Sequence, residues 1–245
     1  MPVPLNPDAG RPQCPLAWFA TRGVAMTDVV LIQGLWLKPE VWAEVQNELE
    51  RLGLRAAGVD LPVGADATLV DQTDAVLAAV DAADGPPLVV GHSAAATLAW
   101  LAADAREVAG VVLIGGFPAA DGEAYAGFLP AGTGSVDFLG WSDFEEDAAD
   151  LNAASRAAMQ AEMVTMPRGV ADGVVRLSNP ARYNVPMTLI CPEFSPDDAK
   201  AWIDGGDLPE LAKATKLTLV NLDSGHWPMV SQPAALAQLI ADAAG

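Results

Sequence analysis

The chain has 245 residues, of which 51% are hydrophobic, and this suits one large α/β domain or two small ones rather than a disordered protein. The 13 basic and 32 acidic residues give a net charge of −19, which repels nucleic acids and anionic membranes, so we expect neither as a partner. No apolar run approaches the about 20 residues of a membrane span. With two cysteines and two histidines, we expect a cytoplasmic protein without disulfide framework, metal or cofactor.

Residues 1–25 are rich in proline and lack the charged start and uninterrupted apolar segment of a secretory signal. We expect them to form a flexible leader, with an over-long start of the chain as the alternative. Residues 26–245 are expected to form a single domain, because the first strand pattern begins immediately after Met26.

Short apolar runs then alternate with amphipathic stretches. The runs, typical of strands that are buried on both faces, are “DVVLIQG”, “LRAAGVDLP”, “PLVVG”, “AGVVLIGG”, “VPMTLICPE” and “KLTLVNL”. Helical patterns follow most of them, from “KPEVWAEVQNELERLG” to the closing “PAALAQLIADAAG”. This alternation predicts an α/β fold with a mostly parallel sheet of about six strands and helices on both faces. We expect the strand order second, first, third, fourth, fifth, sixth.

The interval of about residues 119–185 breaks this alternation and is too long for an ordinary loop. It carries helical pieces of its own. We interpret it as a small helical cap between the fourth and fifth strands. Such a cap would cover the carboxyl ends of the strands, where open α/β sheets bind ligands.

The third apolar run ends in “VVGHSAA”, and a helical pattern starts at Ser93. A sharp turn from strand to helix needs small residues on both sides of its apex, and Gly91, Ala94 and Ala95 are all small. Such a turn lifts the side chain at its apex clear of the sheet. We therefore predict that Ser93 is a nucleophile with a strained backbone. A serine that follows a strand by chance is the competing interpretation.

A serine hydroxyl needs a base, because it is a poor nucleophile at its own pKa. His92 adjoins the serine, and we expect its side chain to point away from the apex. His226 follows the last strand at the same edge of the sheet, and the chain order of serine before histidine agrees with a hydrolase of this architecture. We predict that His226 is the base and lies within hydrogen-bond reach of the Ser93 hydroxyl.

Acyl transfer also needs two backbone N–H groups that converge on the developing oxyanion. Ala94, at the start of the helix, would supply one of them. Leu35, in “QGLW” after the first strand, would supply the other, because Gly34 lets the chain turn there.

The motifs “LIQGLW”, “VVGHSAA” and “SGHWPMVSQP” resemble those of the α/β-hydrolase fold family, and the likeness runs from about Met26 to the C-terminus. The stretch “ICPEFSPDDAKAW” is similar to the acid-bearing region of the methylesterase-like branch. The resemblance implies hydrolysis of small esters through a serine nucleophile. It assigns Ser93 and His226 as nucleophile and base, and Leu35 and Ala94 as oxyanion donors.

Three features depart from this family. Gln33 stands where the family usually has a histidine before the glycine of the oxyanion loop. We expect this change to alter the hydrogen bonding of the loop without removing its backbone donors. The two antiparallel strands that often open the fold have no counterpart, so we expect a shorter sheet.

The acid that orients His226 is the third departure. The position that should carry it holds Phe194 or Ser195. Glu193 lies nearer the end of the strand and has the longer reach, so we favour it as the acceptor.

Other acidic residues compete with this assignment. Asp197 is the second candidate, with a rival role as a favourable charge at the start of a helix. Asp121, after the fourth strand, is the third. Asp223 lies three residues before the histidine, and we expect it to belong to the turn.

These features predict a serine hydrolase that cleaves a small, largely apolar carboxylic ester, thioester or lactone, with that small molecule as its partner. The cap offers aromatic and methionine side chains for an apolar pocket: Tyr125, Phe128, Phe138, Trp141, Phe144, Met163 and Met166. We expect Phe138, Trp141 and, from the loop after the first strand, Trp36 to line it. The alternative is a hydrolase-fold protein that binds a small molecule, or catalyses a non-hydrolytic step, without ester turnover.

Overall fold

The computed structural model describes residues 28–130 and 132–245. The leader predicted over residues 1–25 lies outside the described residues. The strands are β1 (Asp28–Ile32), β2 (Arg55–Gly58), β3 (Leu88–His92), β4 (Gly110–Ile114), β5 (Ser135–Val136), β6 (Met166–Pro167), β7 (Met187–Cys191) and β8 (Leu217–Asn221). The α-helices are α1 (Ala43–Arg51), α2 (Leu69–Asp81), α3 (Ala96–Ala105), α4 (Ala153–Glu162), α5 (Arg168–Ala171), α6 (Pro196–Gly205), α7 (Pro209–Ala212), α8 (Pro228–Ser231) and α9 (Pro233–Ala244).

Six of these strands form one sheet in the order β2-β1-β3-β4-β7-β8. Every pair of neighbours in this sheet is parallel. The six apolar runs thus form the predicted strands, in the predicted order, and the predicted fold class is confirmed. All the carboxyl ends of the strands lie at one edge, because parallel strands run in the same direction.

Alternate strand residues supply two separate cores, one on each face of the sheet. Along β1, Val30 and Ile32 pack with the buried side chains of α2 and α3. Val29 and Leu31 point to the other face and pack with the buried side chains of α1 and α9. Each fully buried aliphatic side chain contributes about 1.5–3 kcal/mol of transfer free energy. The strands are therefore held between two hydrophobic cores, one on each face of the sheet.

The predicted cap lies between β4 and β7. It contains the antiparallel pair β5–β6, the helices α4 and α5, and short 3-10 turns at Trp141–Phe144 and Pro180–Asn184. Asn152 caps the start of helix α4: its side chain accepts a hydrogen bond from Ser155 N–H at 2.9 Å and so satisfies one of the free donors of the first turn. The cap is thus a set of short elements rather than a second extended sheet.

A buried group of charges fastens the chain just before β7. Arg182 donates to Glu210 Oε2 at 2.9 Å and to Asp104 Oδ1 at 3.0 Å, and these side chains are 6%, 2% and 9% exposed. Trp100 Nε1–H also donates to Glu210, at 2.9 Å. Burial raises the pKa of Glu210, but the hydrogen bonds from Trp100 and Arg182 outweigh it and hold that pKa below its usual value. The ionised carboxylate therefore stabilises the folded chain.

We predict that Arg182→Met lowers the free energy of unfolding by about 3–5 kcal/mol, because it removes the buried cation shared by Glu210 and Asp104 and leaves Glu210 with only the half-exposed Lys213 as a charged partner. Urea unfolding at neutral pH measures this loss. The double variant Arg182→Met/Glu210→Gln should recover part of it, since no buried charge then remains at position 210. A single variant as stable as the wild type would contradict the role of this network.

Candidate active site

The chain turns sharply from strand to helix at Ser93. Strand β3 ends at His92, a single 3-10 turn covers Ser93–Ala95, and α3 follows from Ala96. Ser93 has φ +56°, a left-handed conformation that costs a residue with a Cβ about 1–3 kcal/mol. This confirms the strained backbone predicted for Ser93.

Three glycines leave the space that this turn occupies. A Cβ on Gly91 would lie 2.7 Å from Ala95 C, and a Cβ on Gly116 would lie 2.7 Å from Ser93 Cα. A Cβ on Gly34 would lie 3.0 Å from Ser93 Cβ. Real Cβ atoms do not come within 2.7 Å of other heavy atoms, so a side chain at Gly91 or Gly116 would displace the turn. Gly116, which follows β4, carried no sequence signal that marked it in advance.

His226 and Glu193 meet above the same edge of the sheet. His226 Nδ1 lies 2.7 Å from Glu193 Oε1, and the two side chains are 17% and 21% exposed. A carboxylate can only accept, so the Nδ1–H donates and Nε2 of the neutral ring is left with its lone pair. Gly115, at φ +55°, makes room for this carboxylate, because a Cβ there would lie 3.0 Å from Glu193 Oε2.

The other candidate acids lie elsewhere. Asp121 accepts from Leu177 N–H at 2.9 Å within the cap. Asp197 occupies the first turn of α6, where negative charge is favourable, and Asp223 is exposed. Of the acidic side chains in the described residues, the one paired with the His226 ring is that of Glu193.

Ser93, His226 and Glu193 line one cavity of about 270 Å³. In this structure no hydrogen bond joins Ser93 Oγ to His226 among the described residues, so the predicted contact is not formed here. Serine–histidine hydrogen bonds are often long in enzymes without substrate. The cavity places the hydroxyl and the imidazole against the same space.

The loop after β1 is held in an unusual backbone conformation. Trp36 has φ +65°, the only non-glycine residue besides Ser93 with positive φ in the described part of the chain. Gln33, which stands in place of the usual histidine, is buried and donates to Val59 O at 3.0 Å. The N–H of Leu35 has no hydrogen-bond acceptor among the described residues. This donor therefore remains free beside the cavity that the Leu35 side chain lines.

The cap fastens the loop that carries Trp36. The indole N–H of Trp36 donates to Val136 O at 3.0 Å, and Val164 N–H donates to Trp36 O at 2.8 Å. Trp36 is therefore held by the cap through both its side chain and its backbone.

The cap also fastens the loop that carries His226. His226 N–H donates to Asp147 O at 2.7 Å, and Gly225 N–H donates to Asp150 Oδ2 at 2.8 Å. These acceptors come from the acidic stretch “SDFEEDAAD”. The sequence did not reveal these two contacts, because an acidic turn that faces solvent and one that hydrogen-bonds to another loop have the same composition.

Of the three residues predicted to line the substrate pocket, the structure places Trp36 at this cavity and Phe138 and Trp141 outside its lining. Trp36 lines the cavity, whereas the other two residues stand one layer behind it. Phe138 stacks on Phe144, with ring centroids 5.5 Å apart, and Trp141 packs edge-on against Trp227 at 5.2 Å. The residues in front of them, Phe144 and Trp227, line the cavity instead. The cap sequence shows how many aromatic residues are present but not which of them form the front layer.

Two further features bear on the chemistry available here. Burial raises the pKa of the Cys191 thiol to about 11, so this side chain is a neutral thiol at physiological pH and a poor nucleophile. Within residues 28–130 and 132–245, no group of three or more histidine, cysteine, aspartate or glutamate side chains is placed to hold a metal ion.

Among the residues that the structure describes, no helix has the length and apolar character needed to span a bilayer.

The sequence model described as “Alpha/beta hydrolase family” matches residues 29–239, and the chain therefore belongs to the α/β-hydrolase family. A search of curated protein sequences returns no match.

Solved structures with the same fold include several esterases and related hydrolases. An extracellular α/β-hydrolase from a Paenibacillus species, described as sharing structural and functional homology with tobacco salicylic acid binding protein 2, matches with 17% identity and a TM-score of 0.71, covering 89% of this chain and 98% of that one. A methylesterase from Arabidopsis matches with 14% identity and a TM-score of 0.70, with the same coverage. A pyrethroid hydrolase from Sphingobium faniae matches with 22% identity and a TM-score of 0.67, covering 89% and 97%.

We predict that Gly116→Ala lowers the free energy of unfolding by about 1–3 kcal/mol, because the added methyl group overlaps the backbone of Ser93. Gly64→Ala is the matched control, since a Cβ there has no atom within 4 Å. Urea unfolding compares the two variants. A crystal structure of Gly116→Ala should show the Ser93 backbone displaced, and equal stability of the two variants would contradict the steric argument.

Proposed function

We propose that the protein is a serine hydrolase that cleaves small, largely apolar carboxylic esters, or the related thioesters or lactones. Ser93 is the nucleophile, His226 the general base and Glu193 the acid. The observation that carries the proposal is the 2.7 Å contact between His226 Nδ1 and Glu193 Oε1 in the cavity that the strained Ser93 also lines. A histidine–carboxylate pair beside a serine on a strand–helix turn is the arrangement that activates a hydroxyl.

In the first half of the reaction, Ser93 Oγ attacks the ester carbonyl carbon and His226 Nε2 takes the hydroxyl proton. Glu193 accepts a hydrogen bond from Nδ1–H and stabilises the imidazolium that forms. When the tetrahedral intermediate collapses, the bond to the alcohol oxygen breaks and His226 gives the proton to the leaving alcohol. The acyl group is then bonded to Ser93 Oγ.

In the second half, water attacks the acyl-enzyme while His226 takes a proton from that water. Collapse releases the carboxylic acid and returns the proton to Ser93 Oγ. The backbone N–H groups of Leu35 and Ala94 are proposed to stabilise the oxyanion in both halves. Two observations support this role: the Leu35 N–H is free of other acceptors, and Ala94 lies in the first turn after Ser93, where helical N–H groups lack partners within the helix.

The cavity favours an uncharged, partly aromatic or alkyl substrate. Trp36, Phe144 and Met163 give it apolar walls, whereas Glu193 and Asp147 add negative charge. A net charge of −19 also disfavours the approach of anionic esters and favours departure of the carboxylate product. Cytoplasmic location remains a prediction from cysteine usage.

The absence of a hydrogen bond between Ser93 Oγ and His226 keeps a second function in view: binding a small molecule without ester turnover. Reaction with a fluorophosphonate separates the two, because it requires an activated serine and no knowledge of the substrate. The wild type should be labelled, and Ser93→Ala should not be labelled.

We predict that Glu193→Gln lowers kcat for p-nitrophenyl acetate by about 10²–10⁴-fold, because the imidazolium loses its anionic partner while the amide keeps the size of the side chain. Asp197→Asn, the matched control, should keep the activity of the wild type. Circular dichroism and thermal unfolding check that both variants fold.

Other results would change the assignment. An active Glu193→Gln variant beside an inactive Asp197→Asn variant would transfer the acid role to Asp197. If both stayed active and Ser93→Ala was inactive, the site would work as a serine–histidine pair without this acid. If Ser93→Ala retained the ester activity of the wild type, the nucleophile assignment would be wrong.

A further inference from the structure

His92, the residue before the proposed nucleophile, contacts the proposed base directly. Its ring is 1% exposed, and its centroid lies 4.8 Å from that of His226. His92 Nε2 lies 2.7 Å from the backbone oxygen of His226. A carbonyl oxygen can only accept, so Nε2–H is the donor. The side chain that was expected to point away from the apex therefore reaches the loop of the base.

The surroundings fix the tautomer of His92. Burial, together with the neighbouring His226, lowers the pKa of His92 well below its usual value, so the ring is neutral and carries one N–H. That N–H is on Nε2, and the buried Nδ1 has no hydrogen-bond partner among the described residues. Gly34 leaves room for this nitrogen, because a Cβ there would lie 2.8 Å from Nδ1. The ring thus has one polar contact, and that contact is with His226.

His226 is held at three points by three different parts of the chain. Its N–H donates to Asp147 O of the cap, its side chain donates to Glu193 after β7, and its C=O accepts from His92 at the end of β3. His92 is covalently joined to Ser93, whose hydroxyl makes no hydrogen bond with His226 here. The bond from His92 therefore connects the residue before the nucleophile to the backbone of the base.

We propose that His92 is a positioning residue that sets the distance between Ser93 Oγ and His226 Nε2. This role rests on the proposed hydrolase function. A shift of about 1 Å between reacting groups can cost about 10²-fold in rate. Loss of the His92 donor should therefore lower kcat and leave KM nearly unchanged. His92 is itself among the residues that line the cavity, but the apolar walls come from Trp36, Phe144 and Met163, which take no part in this bond.

Two variants of similar size separate the hydrogen bond from the packing. His92→Gln places an amide N–H at about the reach of Nε2–H, whereas His92→Leu fills the space without a donor. With p-nitrophenyl acetate, we expect His92→Leu to lower kcat by about 10–100-fold with KM changed by less than about threefold. His92→Gln should recover most of the lost kcat. Thermal unfolding checks that both variants fold.

A second measurement does not need turnover. In proton NMR spectra, the Nδ1–H of His226 that is bonded to Glu193 should give a strongly downfield signal, assigned by its absence in His226→Gln. We expect His92→Gln to retain this signal, and His92→Leu to lose or broaden it as the loop gains freedom and exchange with water becomes faster.

The outcomes are distinct for the two proposals. If the wild type does not hydrolyse esters or react with a fluorophosphonate, the proposed hydrolase function fails, and the NMR comparison alone decides whether His92 holds His226. Wild-type kcat together with an unchanged signal in a folded His92→Leu variant would overturn the positioning role. If both variants folded and lost kcat equally, the positioning role would also be overturned, because the hydrogen-bond donor would then not be the cause of the loss.

Discussion

The site depends on the close approach of backbones around Ser93. A residue with a side chain adopts φ +56° there because Gly34, Gly91 and Gly116 leave its backbone and Cβ enough room. These glycines lie at or just beyond the ends of β1, β3 and β4, which are neighbours in the sheet. The parallel sheet brings three small residues to one point, and the two cores hold it there. The strain at Ser93 is therefore supported by packing that reaches across the whole domain.

The second constraint is the attachment of the cap to the loops at the carboxyl edge of the sheet. Trp36 is held by Val136 and Val164, and the His226 loop is held by Asp147 and Asp150. Both loops lie between strand ends and cap, so neither is fixed by the sheet alone. The cap therefore does two things: it supplies apolar walls of the cavity, and it accepts or donates the hydrogen bonds that hold the loops of Trp36 and His226.

The sequence predicted the features that depend on periodicity and local turn chemistry. Six apolar runs predicted the sheet and its order, and small residues around Ser93 predicted the turn. The partner of the His226 ring was harder to choose, because the reach of Glu193 depends on the space left by Gly115, which follows β4, the neighbour of β7 in the sheet. The contacts of Asp147 could not be predicted, since a backbone carbonyl has no residue signature. The positions of Phe138 and Trp141 outside the cavity lining could not be predicted, because several nearby aromatic residues could have formed the front layer.

The bond between Asp147 O and His226 N–H has a consequence for how this site can be altered. Substitutions in the cap that reshape the cavity also act on the backbone of His226, so under the proposed hydrolase function substrate selectivity and rate would not be independent traits. Their effects should be non-additive with substitutions near His226, as for residues that share one hydrogen-bonded group. A cap taken from a relative would change two things at once: the residues that line the cavity and the distance between the cap and the backbone of His226. Under that proposal, selectivity would be changed more safely at Met163, which lines the cavity outside the stretch “SDFEEDAAD”, than within the stretch that carries Asp147.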